Sequence, residues 1–409
     1  MPKMTGARFI AETLRGYGVT HVFFVPAVLG RALAEMERVG IQRVVAHSEK
    51  AAAYMADGYA RACHRPGVCM AQSVGAANLA AGLQDAYLAL SPVIAITGHR
   101  PSSHKYRHAY QEIDHTPLYE PVTKFNVTVD ALEQLPLLLR QAFREATSGA
   151  PAPVHLDLQG LQGEVVIDAE ADLDVIVEPQ FSRYPAFRPG PEPERIQEAA
   201  RALVRARRPV IVAGGGVTAS EAQSEVRELA EMLSIPVATS LNGKGTLLDD
   251  HPLSVGVVGS YSRWCANRVV AEADLVLFIG SHTGSQVTND WRIPPPGTPV
   301  IQIDIDPAEL GRNYPNLVSV QGDAKVTVRR LIEASEPVGE RREWLQRVRQ
   351  LVGEWRSEAA QWRDSDAIPM RPERICKELS EWLPSDSLVV SDTGHAGIWT
   401  GAMLDMKHP

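Results

Sequence analysis

The chain has 409 residues, 44% hydrophobic and 22% charged, with a formal net charge of -8. This length is too great for one compact domain, and the balance is that of a globular chain, which excludes wholesale disorder. The acidic surplus argues against a nucleic-acid binder, because phosphate contacts need a clustered cationic surface.

Short apolar runs alternate with helically spaced segments. Val22-Phe23-Phe24-Val25, Arg43-Val44-Val45-Ala46, Val68-Cys69-Met70-Ala71, Val93-Ile94-Ala95-Ile96 and Val154-His155-Leu156-Asp157 read as strands. Helices are predicted over residues 7–17 and 132–147. Most of the strands are apolar on both faces, which fits a parallel sheet covered by helices, so residues 1–175 form a first α/β domain. Pro179, Pro185, Pro189, Pro191 and Pro193 mark residues 176–193 as a linker. Val210-Ile211-Val212-Ala213, Leu275-Val276-Leu277-Phe278-Ile279 and Val300-Ile301-Gln302-Ile303-Asp304 place a second α/β domain over residues 194–335. In the connecting helix over residues 336–368, Trp344, Val348, Leu351 and Trp355 share one face, with Val352 beside them; that face is expected to pack on its own domain. A helix over 373–383 and a strand at Leu388-Val389-Val390-Ser391 follow. That pair cannot bury a core alone, so residues 369–409 read as the beginning of an incomplete third domain. The fold class is therefore α/β, two successive parallel-sheet domains with helices on both faces, plus the start of a third.

Cys63, Cys69, Cys265 and Cys376 show no Cys-x-x-Cys spacing. They indicate neither a zinc site nor a disulfide framework, so a reducing cytoplasm is the expected location. No signal-peptide core is read in the first residues, and the apolar runs are strand-sized, so no membrane partner is expected.

The densest chemical signal is His47-Ser48-Glu49-Lys50-Ala51-Ala52-Ala53-Tyr54-Met55-Ala56-Asp57-Gly58-Tyr59-Ala60-Arg61. Glu49 follows a strand and opens an alanine-rich helix. A carboxylate at a strand end of an open α/β sheet lies where ligands usually bind. Equally, it would complement the positive end of its own helix. This stretch resembles the pyrimidine-binding domain of thiamine-diphosphate enzymes, most closely the acetolactate synthase group. The resemblance extends over the whole chain. Val22-Phe23-Phe24-Val25-Pro26-Ala27 matches the early strand and loop, with Ala27 where glycine is usual. Ala71-Gln72-Ser73-Val74-Gly75-Ala76-Ala77-Asn78 matches a Gly-Pro-Gly-Ala-Thr-Asn turn, with Ser73-Val74 replacing Gly-Pro. Ala109-Tyr110-Gln111-Glu112-Ile113-Asp114 is similar to the family's Ala-Phe-Gln-Glu segment.

The resemblance implies thiamine diphosphate as cofactor and a pyruvate-like 2-oxo acid as substrate, decarboxylated before the carbanion passes to an acceptor. It makes Glu49 the group that hydrogen-bonds ring nitrogen N1′ of the aminopyrimidine. An aspartate would be one methylene too short, and a glutamine could not exchange the proton. Gln111 would line the reaction chamber of a neighbouring subunit, which implies a homodimer or homotetramer. Pro26, Ala27, Gly75 and Asn78 would contact the cofactor, with a helix cap as the alternative role for Asn78.

Other signals are weaker. His99, His104, His108 and His115 crowd one region, but a loop is expected there, and no metal site is assigned. The decarboxylase branch carries an adjacent histidine pair in this region that is missing here. Gly214-Gly215-Gly216 follows a strand without the Gly-x-Gly-x-x-Gly spacing. Asp304 and Asp306 lie in a segment that resembles the family's adenine-nucleotide region. FAD or ADP binds there in some members and nothing in others; Ser281-His282-Thr283 replaces the run usual in those that hold FAD. The family binds Mg²⁺ through Gly-Asp-Gly and later asparagines. Gly322-Asp323-Ala324 is a near match, but no asparagine follows Asn316, so Mg²⁺ is expected only through a C-terminal domain absent from these residues. The alternatives within the family are a 2-oxo acid decarboxylase and an acyl-CoA lyase. Outside it, the alternative is a non-catalytic nucleotide-binding or assembly module.

Overall fold

A strand that is apolar on both faces needs a helical layer on each side, and parallel pairing supplies the crossovers that bring those layers. The computed structural model, which describes residues 3–407, contains this arrangement twice. Contacts divide the chain into two units, Met1–Phe187 and Arg188–Pro409.

The first unit carries β1 (Lys3–Thr5), β2 (His21–Phe24), β3 (Gln42–Val45), β4 (Gly67–Ala71), β5 (Val93–His99), β6 (Phe125–Val129), β7 (Val154–Gln159) and β8 (Glu170–Asp172). β1 and β8 form a small antiparallel ladder. The other six make one parallel sheet in the order β3-β2-β4-β5-β7-β6. Side chains alternate across it with period two. Val22, Phe24, Met70, Ile96 and Leu156 enter one core. Phe23, Cys69, Ala71 and Ala95 enter the other, with Ala52, Ala53, Ala56, Ala76 and Ala80 from two helices, Glu49–Cys63 and Gly75–Leu88. These two helices lie close because their facing residues are small: a Cβ added at Gly82 would sit 2.7 Å from Ala53 Cβ.

The second unit repeats the plan with β9 (Pro209–Ala213), β10 (Val237–Thr239), β11 (Ser254–Val257), β12 (Leu275–Ile279), β13 (Val300–Asp304) and β14 (Asn316–Gln321). Their order is β11-β10-β9-β12-β13-β14, all parallel. Ile211, Leu277 and Ile301 face one core, while Val210, Val212 and Phe278 face the other.

The division falls inside the proline-rich stretch 176–193, whose first half is packed rather than free. Phe181 and Tyr184 are buried in the first unit, and the Tyr184 hydroxyl donates to the Ala60 carbonyl at 3.2 Å. The Arg342–Arg363 helix buries Trp344, Val348, Leu351 and Trp355 in the second core, as their spacing predicts. The Pro372–Trp382 and His395–Met403 helices add Cys376, Ala402 and Met403 to that same core. The strand expected at Leu388–Ser391 is not formed. A strand needs a ladder partner, none is present among the described residues, and Leu388 and Val390 stand in solvent.

Buried charge ties the last described residues to this unit. Arg263 is 3% exposed and holds Asp249 and Asp405 at 2.7 Å each. Its guanidinium lies over the Trp355 ring. Arg363 holds the other Asp405 oxygen at 2.8 Å, and the Met406 amide donates to Asp249 at 2.7 Å.

Where β9 and β12 end, backbone meets backbone. Gly280 has φ +58°, and a Cβ there would lie 2.5 Å from Gly216 Cα. Gly280→Ala should therefore destabilise this unit by about 2 kcal/mol, read as a lower thermal unfolding midpoint with an unchanged fold.

Candidate active site

From β2 the chain steps outward to β3, then crosses back past β2 to β4. Where strand order reverses in an open α/β sheet, a crevice opens at the carboxyl ends. Three of the expected segments end there: Pro26-Ala27 after β2, Glu49 after β3 and Gly75–Asn78 after β4.

Glu49 is the first residue of its helix, whose N-cap Ser48 accepts from the Ala51 amide at 3.2 Å. Asn78 Nδ2 donates to Glu49 Oε2 at 3.2 Å. Gly75 opens the neighbouring helix, and a Cβ there would stand 2.6 Å from Glu49 Oε1. The carboxylate thus lies at two helix N-termini, where negative charge is favoured, with one oxygen held by an amide and the other seated against a glycine. Asn78 does not cap its own helix; its side chain orients Glu49. Ala27 has φ +82°, a left-handed conformation that costs an L-residue about 1 kcal/mol and that glycine takes freely. The backbone therefore has the form that glycine, usual at this position in the resembling family, would suit. Pro26 and Ala27 are both exposed.

Gln111 has φ +56°. Its Nε2 donates to the Tyr110 hydroxyl at 3.2 Å, while its buried Oε1 has no hydrogen-bond partner. Ser73 is fully buried, and its hydroxyl donates to the Gln111 carbonyl at 2.8 Å. The Ser73–Gly75 turn thus touches Gln111 on one side and Glu49 on the other. Ser73 registered in the sequence only as a departure from a motif; its hydroxyl holds the Gln111 carbonyl, while Arg100 Nε donates to the Tyr110 carbonyl at 2.7 Å and Glu112 accepts from the Tyr106 and Ala109 amides.

His104 and His108 are exposed in the irregular segment expected there. His99 and His115 turn inward to partners that sequence proximity did not reveal. Register pairs Thr97 with Asp157 across β5 and β7. Thr97 Oγ1 donates to Asp157 Oδ1 at 2.8 Å and lies 2.6 Å from His155 Nε2. His115 Nε2 lies 2.9 Å and His99 Nδ1 3.2 Å from Asp157 Oδ2. Burial alone would raise the Asp157 pKa, but hydrogen bonding and charge from His115 and His99 reverse this and hold it below the usual carboxylate range. For His99, burial pulls the pKa down, contact with Asp157 pushes it up, and the net direction is upward.

In the second unit the glycine triplet is used for packing. The Gly214 and Gly216 amides donate to the Ile279 and Gly280 carbonyls at 2.8 and 3.0 Å, and a Cβ at Gly214 would meet Gly280 O at 2.1 Å. Gly215 lies beside Asn242. Asp304 is buried, which raises its pKa, and its Oδ1 accepts from the Asp306 amide at 3.0 Å. Asp306 in turn accepts from the Ala308 amide at 2.9 Å. Asp323 is 2% exposed, caps the Ala324–Ala334 helix and accepts from the Ser220 hydroxyl at 2.7 Å, so it does not fit a magnesium site.

Residues 4–118 match the family model described as the thiamine pyrophosphate enzyme N-terminal TPP binding domain, and residues 196–331 match the thiamine pyrophosphate enzyme central domain. The chain is 36% identical to a probable acetolactate synthase large subunit of Methanocaldococcus jannaschii, over 99% of this chain and 69% of the relative. It is 32% identical to the acetolactate synthase isozyme 2 large subunit of Escherichia coli, over 99% of this chain and 71% of the relative. The corresponding figures for the isozyme 1 large subunit of the same organism are 32%, 100% and 70%.

Burial lowers the His155 pKa to about 3, against about 6.5 in an unfolded chain. Between those values the unfolded chain takes up a proton that the folded one excludes, so stability falls as pH drops from about 6.5 to about 3. His155→Gln should flatten that limb by up to one proton, measured from urea unfolding free energies at neutral and mildly acidic pH.

Proposed function

The chain belongs to the acetolactate synthase-like family of thiamine-diphosphate-dependent enzymes, and we propose that the full-length protein decarboxylates a pyruvate-like 2-oxo acid and passes the two-carbon unit to an acceptor. The observation that carries this reading is Glu49, set where strand order reverses and oriented by Asn78 and Gly75. When bound, thiamine diphosphate supplies the electron sink for decarboxylation.

Glu49 is suited to the aminopyrimidine. Its carboxyl group offers one atom that accepts or returns a proton, and the Asn78 amide keeps that group from swinging back to cap its own helix. Pro26, Ala27 and the Gly75 turn would form the walls of the cofactor cleft. Gln111 would face the substrate with an amide whose oxygen is free of protein partners, and Tyr110 adds a hydroxyl beside it. The diphosphate and Mg²⁺ are not assigned to these residues, because Asp323 is already committed to a helix cap and to Ser220. FAD or ADP in the central domain is supported less well: the Gly214 and Gly216 amides are already bonded to main-chain carbonyls, and we assign the triplet to packing.

We place the protein in the cytoplasm as a homodimer or homotetramer. Free Cys63, Cys69, Cys265 and Cys376 support a reducing location, and no helix among the described residues is long and apolar enough to cross a membrane. Isologous dimers are the commonest closed assembly.

Glu49→Gln should slow proton exchange at C2 of bound thiamine diphosphate by about 100-fold or more, with an unchanged circular dichroism spectrum. Exchange at the unmutated rate would remove Glu49 from the chemistry. Product analysis with pyruvate separates carboligation, which yields an acetolactate-type product, from simple decarboxylation, which yields an aldehyde. Light scattering on the full-length protein should give a dimer or tetramer; an active monomer would contradict the shared site.

A further inference from the structure

Beneath the Gln111 loop a threonine, an aspartate and two histidines are buried together: Thr97, Asp157, His115 and His155, none more than 2% exposed. Their donors stand 2.6 to 2.9 Å apart at the closest contacts, which are hydrogen-bond lengths. The Thr97 hydroxyl bridges His155 and Asp157, and one ligand atom from each of His115, His155 and Asp157 lies within 4.8 Å of the others.

Two arms leave this cluster, and both reach the same stretch of loop. In one, Asp157 holds His115 at 2.9 Å. In the other, Thr97 meets His155 Nε2, His155 Nδ1 lies 2.8 Å from Asn126 Oδ1, and Asn126 Nδ2 donates to the Thr116 carbonyl at 2.8 Å. That last bond fixes which way the Asn126 amide points, with its Oδ1 toward His155 Nδ1. Tyr119 stacks on His155 at 3.5 Å between ring centroids, and its hydroxyl donates to the Ala76 carbonyl at 2.8 Å. The sheet thus grips consecutive residues 115 and 116, and Ser73 grips Gln111 just before them.

We propose that Asp157 and His115 are positioning residues for Gln111, forming a buried latch that fixes the far end of its loop while Ser73 fixes the near end. A short span held at both ends has little freedom, and Gln111, at one end of it, has φ +56°. The inference rests on the reading of Gln111 as a chamber residue and adds to it the groups that set its place.

The test uses the full-length protein with thiamine diphosphate and Mg²⁺, and pyruvate as the probe substrate. His115→Leu removes the contact to Asp157, and His115→Gln keeps an N–H near the same point. The Leu variant should lose turnover about tenfold and the Gln variant should recover most of it; in a Gln111→Ala background the Leu change should have no further effect, because both act through one residue. Amide hydrogen exchange over residues 102–114 should rise about tenfold or more in His115→Leu, with β4 and β5 unchanged. Asp157→Asn should loosen the same residues. Additive losses in the double variant would overturn the positioning role. Unchanged exchange over 102–114 would overturn the latch itself. Unchanged turnover in Gln111→Ala would instead sink the reading of Gln111, so the two failures are distinguishable.

Discussion

Everything at the candidate site depends on how closely two helices approach. The Glu49–Cys63 and Gly75–Leu88 helices meet through alanine and glycine, and their N-termini come together beside one carboxylate. A larger side chain at Gly75 would fall on Glu49 Oε1, and one at Gly82 would collide with Ala53 and the Lys50 carbonyl. The small residues do not strengthen the core by area burial. They set a distance, and that distance decides whether Asn78 can reach Glu49.

The central strands were legible because they are apolar on both faces, and β12 and β13 appear with the predicted bounds. The edge strand β3 was legible too, but β6, β10 and β14 were not. β6 is only partly buried along most of its length, β10 has three residues, and β14 mixes polar with apolar positions. In each, the pairing partner supplies the order that the residues themselves do not announce. Leu388–Ser391 is the converse case, an apolar run that stays irregular among the described residues because nothing pairs with it.

The site was legible as a set of local motifs and illegible as a network. Glu49, Gly75 and Asn78 announced themselves through sequence neighbours, and the fold brings them into contact. The partners of His115 could not be found that way, since Asp157 and His155 lie on a strand some forty residues later and only strand register places them beneath the loop. Crowding of histidines was legible and the loop was expected, but not which of them turn inward: His104 and His108 are exposed, whereas His99 and His115 are buried.

The ion cluster around Arg263 has a consequence for how the second unit comes apart. Residues 384–394 are largely exposed and irregular, an accessible place for a protease to cut. The segment beyond is held by Arg263 and Arg363 through Asp405, by Asp249 through the Met406 amide, and by the burial of Ala402, Met403 and Leu404. A single cleavage there would sever the covalent path and leave the fragment docked. The nicked protein would migrate as two pieces under denaturing conditions and as one body in native chromatography.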